Sequence, residues 1–400
     1  MKVIKGGVCA PQGFKASSGC CGIKKSKRDD LALLVSSAPC IAAGTFTLNK
    51  MRSGSVDLCE DRIKKSSPQA VIVNSGIANA CCGKKELVGA QDVSGTAAKK
   101  LGLKKEMVLM CSTGVIGKPL PVGKIKKGLG SLVKGLSSKN GTGFSKAIMT
   151  TDTVNKEIAI EFEIDGKKVR LGGACKGSGM IYPNMATMLA FFTTDISIEK
   201  SALKSAFKES VDYSFNRITV DGDMSTNDTA IMFANSLAGN KCVRKNTKEY
   251  LEFKDALTYA AMVLAKKIVL DGEGATRFVR IYVKGAKTEK DASIVARSIA
   301  NSSLVKTMIA GGDPNWGRVA ASIGYSGVDV KKDKVDIYFG KDLVMKNGSE
   351  TSAPRKRLEK LFKNKEIDIV VDIKMGRHCS WVWSCDLTKR YIEINSEYET

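Results

Sequence analysis

A threonine within the run KGSGMIYPNMATMLAF (176–191) has the surroundings of a nucleophile. Thr187 follows a loop rich in glycine, proline and asparagine, and it precedes an apolar segment. A threonine hydroxyl is a weak nucleophile until a base takes its proton, and the free α-amino group of the same residue can be that base. Such an amine titrates near pH ~8, so a useful fraction accepts protons at neutral pH. We therefore predict that Thr187 is the nucleophile.

Thr187 can carry a free amine only after the Ala186–Thr187 bond has been cleaved. The glycines, Pro183 and Asn184 allow the tight or strained backbone that would bring Thr187 Oγ to the carbonyl of Ala186. An N-to-O acyl shift followed by hydrolysis would then cut the chain. The alternative is an ordinary loop that enters a buried strand, and local composition by itself favours that alternative.

Segment 108–117 (VLMCSTGVIG) is typical of a buried strand followed by a turn. Gly114 allows a close approach of backbone to ligand, and the N–H groups there, with the Thr113 hydroxyl, could form an anion-binding hollow. Acyl transfer through a tetrahedral intermediate needs such donors aimed at the developing oxyanion. An ordinary strand-to-helix turn accounts for the same residues, and spacing alone favours that alternative.

Two charged residues and one acidic turn are further candidates. Lys176 places a fixed positive charge eleven residues before Thr187, which suits a substrate carboxylate, although a surface lysine is the alternative. Glu273 follows a long predicted helix and is a candidate partner for a substrate ammonium. The turn DGDMSTND (221–228) lacks the later acidic ligand of an EF-hand, so we expect a polar active-site or structural turn.

The hydrophobic pattern that must position these residues alternates between strands and helices, which predicts an α/β fold. The predicted strands are 31–36, 44–48, 70–74, 107–112, 157–164, 169–171, 188–193, 278–283, 335–338, 367–373 and 391–394. The predicted helices are 87–101, 122–133, 200–212, 230–237, 252–270, 291–299 and 355–362.

Composition argues against several classes of protein. The chain has 400 residues and a net charge of +23, but its basic residues are scattered and only 6% of residues are aromatic. A solvated lysine-rich surface is therefore favoured over a nucleic-acid binder. No apolar run is long enough for a membrane span, and the N-terminal residues lack the apolar core of a signal peptide. The default expectation is a cytoplasmic protein.

The twelve cysteines and the single histidine, His378, do not have the spacing of a metal site, because no C-x2-C pair is present. Reduced, mostly buried thiols are the better account, and we expect no metal and no resident cofactor. One histidine and the absence of a G-x-S-x-G elbow also give a Ser-His-Asp triad little support.

The run 176–191 resembles the self-cleavage segment of the ornithine acetyltransferase (glutamate N-acetyltransferase) family, whose members cut themselves before the threonine of Met-Ala-Thr-Met-Leu. Eight more segments resemble the same family in the same order along nearly the whole chain. They are GVCAPQGF (7–14), VNSGIANAC (73–81), STGVIG (112–117), MTTDT (149–153), DGDMSTND (221–228), DGEGATR (271–277), GGDPNWGR (311–318) and CDLTKRYIEINSEYET (385–400). The chain departs from the family at Ile77, where an asparagine is usual.

The resemblance implies a layered αββα sandwich similar to N-terminal-nucleophile hydrolases. It also implies processing into an α chain (1–186) and a β chain (187–400), which stay together as a heterotetramer of two α and two β chains. The implied reaction moves acetyl from N-acetylornithine onto Thr187 and then to glutamate, in arginine biosynthesis. Whether acetyl-CoA is also a donor stays open. A related aminopeptidase or amidase, which would pass the acyl group to water, is the alternative function.

The resemblance also implies roles for individual residues. Thr113 and Gly114 would form the oxyanion hole, and cleavage would fall between Ala186 and Thr187. The residues expected to contact substrate are Thr150, Lys176, Thr187, Glu273, Asn395 and Thr400.

Overall fold

The first of two units in the chain contains two β-sheets and comprises residues 1–216 and 223–268. The structure is a computed structural model, which describes residues 1–182 and 188–397. The strands of this unit are β1 (Lys2–Ile4), β2 (Phe14–Gly19), β3 (Leu31–Ser36), β4 (Ile41–Phe46), β5 (Ala70–Ile77), β6 (Val108–Val115), β7 (Lys156–Ile164), β8 (Lys167–Lys176), β9 (Leu189–Thr194) and β10 (Thr229–Ala234). Its helices are α1 (Gly54–Lys65), α2 (Lys85–Leu101), α3 (Val122–Lys134), α4 (Gly141–Ala147), α5 (Lys200–Asp212) and α6 (Lys248–Leu270), whose last two residues fall in the second unit.

The six-stranded sheet has the order β1-β7-β8-β9-β10-β4. Strand β9 is antiparallel to β8 and parallel to β10, and every residue of β9 and β10 is buried. Burial on both faces explains why their sequences, LAFFTT and TAIMFA, are apolar without alternation. The predicted helix 230–237 is wrong. A short apolar run cannot distinguish a buried helix from a buried strand, and here pairing with β9 and β4 decides for the strand.

The four-stranded sheet has the order β2-β3-β5-β6, and its last two strands are parallel. Helix α2 connects β5 to β6, as a parallel pair requires. The register places Ser75 opposite Thr113 and Gly76 opposite Gly114, with an irregularity at Ile77. The predicted oxyanion residues therefore lie at the end of this parallel pair.

Residues of both sheets share one apolar core in this unit, which includes Val73 of β5 and Phe191 of β9. Helices α2 and α3 pack on the four-stranded sheet, while Phe207 of α5 packs edge-to-face on Phe192 of β9. The arrangement contains the two sheets and the helix layers of the predicted sandwich, and the mixed α/β class is confirmed.

The second unit comprises residues 217–222 and 269–397 and has one six-stranded sheet, ordered β14-β13-β12-β15-β11-β16. The strands are β11 (Phe278–Ala286), β12 (Asp336–Phe339), β13 (Asp342–Lys346), β14 (Ser349–Glu350), β15 (Glu366–Asp372) and β16 (His378–Cys385). The helices are α7 (Glu289–Asn301), α8 (Ser303–Gly311), α9 (Trp316–Gly324), α10 (Arg355–Leu361) and α11 (Lys389–Ser396). Helices α7, α8 and α9 contribute to the same apolar core as the inner strands of this sheet.

The C-terminal strand predicted at 391–394 is wrong, because these residues belong to helix α11. An apolar and polar alternation over four residues spans only about one helical turn, so it does not discriminate between the two structures. In none of the helices described in the chain is there an apolar stretch long enough to cross a membrane.

Candidate active site

Gly114 lies where the end of β6 packs closely against the end of β5. Its φ is +129°, and a Cβ added there would lie 2.2 Å from the carbonyl carbon of Gly76. Gly76 itself has a φ of +109°. No other residue type adopts this backbone so readily or leaves this space, so the pair of glycines permits the local geometry at the end of the strands. Thr113, directly before Gly114, is only 4% exposed.

Lys176 ends β8 and reaches the same place from the other sheet of this unit. Its ammonium is buried, and Nζ donates a hydrogen bond to Thr113 Oγ1 at 3.3 Å. Because the hydroxyl oxygen of Thr113 accepts this bond, its O–H group can still donate a hydrogen bond to another oxygen. The structure thus brings together two predicted residues that are 63 positions apart in the chain.

Asp152 organises the backbone around Lys176, a role that sequence reasoning missed. Its buried carboxylate accepts hydrogen bonds from the N–H of Gly177 at 2.8 Å and the N–H of Thr150 at 3.0 Å. It also accepts one from Lys156 Nζ at 2.7 Å, and Lys156 is fully buried. The motif MTTDT therefore positions Thr150 beside the loop that begins at Lys176.

The charges in this cluster do not cancel. Burial by itself raises the pKa of Asp152, but the ammonium groups of Lys156 and Lys176 and the Gly177 N–H bring it down to about 2. The carboxylate is therefore ionised at neutral pH and is outnumbered by two lysines. A buried site with an excess of positive charge suits an anionic group such as a carboxylate.

Met188, the first described residue after Thr187, is fixed by two hydrogen bonds. Its N–H donates to Oδ1 of the buried Asp228 at 2.9 Å, and its carbonyl accepts from the N–H of Thr229 at 3.1 Å. Strand β9 consequently starts at a defined position. Ala186 and Thr187 lie outside the described residues, so the predicted cleavage point is located only through this neighbour.

Asn227 connects the same turn to the strand of Thr113. Its Nδ2 donates to the carbonyl of Ser112 at 2.9 Å and to Ser53 Oγ at 3.2 Å. Fixing the Ser112 carbonyl also fixes the direction of the following peptide N–H, since the peptide group is planar. The buried end of DGDMSTND therefore positions both the oxyanion strand and the start of β9.

A cavity of about 410 Å³ opens beside Thr150, and three basic residues and one acidic residue are among those that line it. Lys24 Nζ donates to the carbonyls of Met149 at 2.8 Å and Asp29 at 3.0 Å. Burial lowers the pKa of Lys24 to about 8; Lys176 adds to this effect and Asp30 opposes it. The described residues that line it are Lys24, Ser26, Arg28, Asp29, Lys146, Met149 and Thr150. Its cationic groups suit an anionic ligand.

Two predicted substrate residues contact each other in the second unit. Asn395 on α11 donates from Nδ2 to Glu273 Oε2 at 2.8 Å, and Glu273 is 9% exposed. Gly274 lets the helix approach closely, because a Cβ there would lie 2.6 Å from the nitrogen of Tyr391. Helix α11, rather than the predicted strand, therefore holds Asn395 against the loop of Glu273.

No cluster of three or more histidine, cysteine, aspartate or glutamate side chains within 1–182 and 188–397 could hold a metal ion. All twelve cysteines are free thiols, and six of them are buried. His378 is exposed at the start of β16.

Comparison with known proteins adds the decisive observation, a match of the ArgJ family to residues 15–400. The chain belongs to the ArgJ family. It is 46% identical over 404 residues to the arginine biosynthesis bifunctional protein ArgJ of Caldanaerobacter subterraneus subsp. tengcongensis, with all of both chains covered. It is 44% identical over 415 residues to the glutamate N-acetyltransferase of Methanocaldococcus jannaschii, again with full coverage of both.

A solved structure of an ArgJ family member is also similar. The crystal structure of arginine biosynthesis bifunctional protein ArgJ from Bacillus halodurans has 38% identity and a TM-score of 0.50, covering 52% of this chain and 98% of that one. Membership of the ArgJ family confirms the predicted family and the prediction of an acyltransferase enzyme.

In this ArgJ family chain the predicted site residues fall into three groups. The first unit brings together Thr113, Gly114, Thr150 and Lys176, and the second unit pairs Glu273 with Asn395. Ala186, Thr187 and Thr400 lie outside the described residues. Sequence reasoning missed Asp152, Asn227 and Asp228, although all three stand in segments already singled out, MTTDT and DGDMSTND.

Proposed function

We propose that this protein transfers the acetyl group of N2-acetyl-L-ornithine to L-glutamate through an acetyl-Thr187 intermediate, as a step of arginine biosynthesis. The observation that carries the proposal is the hydrogen bond of the buried Lys176 ammonium to Thr113, at the end of the glycine-paired strands β5 and β6. A cation for a substrate carboxylate and donors for an oxyanion are then next to each other. Both lie in the unit that contains β9, which begins two residues after Thr187.

Self-cleavage would come first and would create the base. Thr187 Oγ attacks the carbonyl of Ala186, Thr113 and Gly114 hold the oxyanion, and water hydrolyses the resulting ester. Thr187 then has a free α-amine. Wild-type protein should consequently run as two fragments, with one beginning at Thr187 by N-terminal sequencing. Thr187→Ala should remain a single inactive chain, and fragments in that variant would indicate a contaminating protease.

In the transfer reaction the amine takes the proton of Thr187 Oγ, and the oxygen attacks the acetyl carbonyl of N-acetylornithine. The same proton then passes to the departing ornithine nitrogen. Glutamate attacks the acetyl-threonine ester in the reverse sense and leaves as N-acetylglutamate. The oxyanion donors act in both halves, and one such donor typically contributes ~10²–10³ in rate.

Substrate recognition would use charges opposite to those of the ligand. Lys176 and Thr150 suit the α-carboxylate, because the first is a cation and the second is oriented by Asp152. Glu273, whose carboxylate is held by Asn395, suits the side-chain ammonium of ornithine. Thr187, Asn395 and Thr400 complete the proposed set of contacts.

The α (1–186) and β (187–400) chains would stay together after cleavage because they share a sheet. Strands β8 and β9 lie on opposite sides of the cleavage point and pair over six residues, and β10 pairs with β4. Size-exclusion chromatography with light scattering should give twice the 42.9 kDa of the chain for the proposed heterotetramer of two α and two β chains. We propose the cytoplasm as its location.

Acetyl-CoA is a second candidate donor, which the cationic cavity beside Thr150 favours. Lys24, Arg28 and Lys146 could attract the phosphates of coenzyme A. Incubating the processed enzyme with glutamate and acetyl-CoA should then release free coenzyme A and N-acetylglutamate. Absence of both products would restrict the enzyme to N-acetylornithine.

The aminopeptidase or amidase alternative shares the nucleophile but uses water as acceptor. Incubation with N-acetylornithine, with and without glutamate, separates the two functions. Formation of N-acetylglutamate in the reaction that contains glutamate supports the transferase. Acetate released at the same rate in both reactions would reject it.

A further inference from the structure

The carboxyl group of Asp228 has no role in the chemistry described so far, although it binds Met188, the residue that follows Thr187 in the sequence. Its Oδ1 accepts the Met188 N–H at 2.9 Å. Met188 nitrogen is bonded to the carbonyl carbon of Thr187, and covalent geometry keeps the nitrogen of Thr187 within about 4 Å of that atom. Asp228 is therefore anchored one peptide unit from the bond that self-cleavage would break.

The second oxygen of Asp228 is buried without a partner. Asp228 is 0% exposed, and within 1–182 and 188–397 no group forms a hydrogen bond to Oδ2. The nearby hydroxyl of Thr47 donates instead to the carbonyl of Ser225 at 2.8 Å. Buried polar atoms are nearly always satisfied, so an exception beside a reacting bond points to a group used in chemistry.

Burial raises the pKa of Asp228 well above its ordinary value. The Met188 N–H and the charge of Lys176 lower it by less. Burial therefore favours the protonated form of this carboxyl. In that form Oδ2 carries the proton, because Oδ1 is occupied as an acceptor.

We propose that Asp228 is the proton donor for self-cleavage at the Ala186–Thr187 bond, an inference that rests on the function proposed above. As Thr187 Oγ adds to the Ala186 carbonyl, the C–N bond breaks and the departing nitrogen takes the proton of Asp228 Oδ2. The Asp228 carboxylate then accepts the proton that leaves Thr187 Oγ, so that the carboxyl is protonated again. The product is an ester with a neutral amine, and no further reactant is needed until water hydrolyses the ester.

A purely positioning role would need only the hydrogen bond to Met188. Asp228→Asn keeps the size of the side chain and the Oδ1 acceptor, but its amide has no acidic proton. Asp228→Glu keeps the acid. These two variants therefore separate proton donation from positioning.

The test follows cleavage of the full chain in cell-free translation, by gel electrophoresis of pulse-labelled precursor. We expect Asp228→Asn to cleave at least about a hundredfold more slowly than wild type, the usual effect of losing a general acid, and Asp228→Glu to recover part of the rate. Asp223→Asn, an exposed residue of the same turn, is the matched control and should cleave like wild type. Cleavage of Asp228→Asn at the wild-type rate would overturn the proposal.

Hydroxylamine gives a second readout, because it cuts an ester but not an ordinary peptide bond. It should leave the Asp228→Asn precursor intact, since the ester does not form. Rapid cleavage by hydroxylamine would show that the acyl shift proceeds without the acid and would also overturn the proposal. If circular dichroism shows that Asp228→Asn is unfolded, a folded Asp228→Glu decides: cleavage supports the proposal and an intact chain rejects it. An uncleaved wild type would instead reject the self-cleavage on which the proposal rests.

Discussion

Gly114 and Gly76 approach so closely that a methyl group on Gly114 would lie 2.2 Å from the carbonyl carbon of Gly76. Real Cβ atoms do not come this near to backbone, so any side chain at Gly114 must push the ends of β5 and β6 apart. The distance between the two strands at this point sets where the proposed oxyanion donors lie.

Gly114→Ala should fold but lose activity. Displacing Thr113 and residue 114 by even part of an ångström removes donors worth ~10²–10³ in rate, so kcat of acetyl transfer should fall by about that factor. The measurement is N-acetylglutamate formation by the processed fraction. Gly117→Ala is the matched control, because Gly117 also has a positive φ, +85°, but has open space around it. Equal activity in both variants would contradict this role of Gly114.

Asp152→Asn should destabilise the protein strongly at neutral pH. It leaves the buried ammonium of Lys156 without its carboxylate, and breaking a buried pair in this way typically costs about 3–5 kcal/mol. Urea unfolding of the uncleaved Thr187→Ala background measures the difference. Asp92→Asn is the control, since its pair with Lys126 is exposed and should matter little.

The effect of Asp152 should also depend on pH in a defined window. Its folded-state pKa is about 2, below the ordinary value of 3.8, so its stabilising contribution is present above about pH 4 and is lost as pH falls through 2. The difference in urea midpoint between the Thr187→Ala protein and the same protein carrying Asp152→Asn should therefore shrink between pH 4 and pH 2. A difference that stays constant over this range would contradict the charged state assigned to Asp152.

Lys176→Met should weaken use of N-acetylornithine. Loss of one charge-assisted hydrogen bond to the substrate carboxylate, worth about 1.5–3 kcal/mol, lowers kcat/KM by roughly 10- to 150-fold. The initial rates of the processed enzyme test this. Lys168→Met is the control, because Lys168 lies exposed on the same strand, β8. Comparable losses in the two variants would indicate a general charge effect.

The sequence predicted the strongly periodic elements well. Helix α5 (Lys200–Asp212) was predicted with its observed bounds, since its apolar residues repeat at helical spacing over three turns. Strand β10 was predicted as a helix, because TAIMFA has no periodicity and only its sheet neighbours determine its conformation. Helix α11 was predicted as a strand from four alternating residues, too few to distinguish the two periods.

The polar network of the site could not be predicted in the same way. The motifs named the right segments, but the partners of Asp152 are on both sides of a hairpin and those of Asn227 include a residue 115 positions away. Such contacts depend on strand register and on which sheets come together. Local spacing specifies neither, so the segment of Asn227 and Asp228 was predicted only as a polar active-site or structural turn, not as a support for β6 and β9.

The last prediction concerns the C-terminal residues. Deleting 397–400 leaves helix α11 whole, because it ends at Ser396, and it retains the hydrogen bond of Asn395 to Glu273. The truncated protein should still cleave at Thr187, since that step uses the loop before β9 and the oxyanion donors. It should lose the proposed contacts of Thr400 with substrate. One or two hydrogen bonds worth ~1–3 kcal/mol each would lower kcat/KM by roughly ten- to a hundredfold or more.

Asn395→Ala is the companion variant for the truncation. It removes the partner of Glu273 while keeping the chain end, so it should raise KM for N-acetylornithine without affecting cleavage. If both variants are processed and folded but keep the wild-type kcat/KM, the C-terminal segment takes no part in substrate binding. Loss of activity in Asn395→Ala alone would assign the effect to Asn395, through its own substrate contact or its hydrogen bond to Glu273, and would exclude Thr400 as a substrate contact.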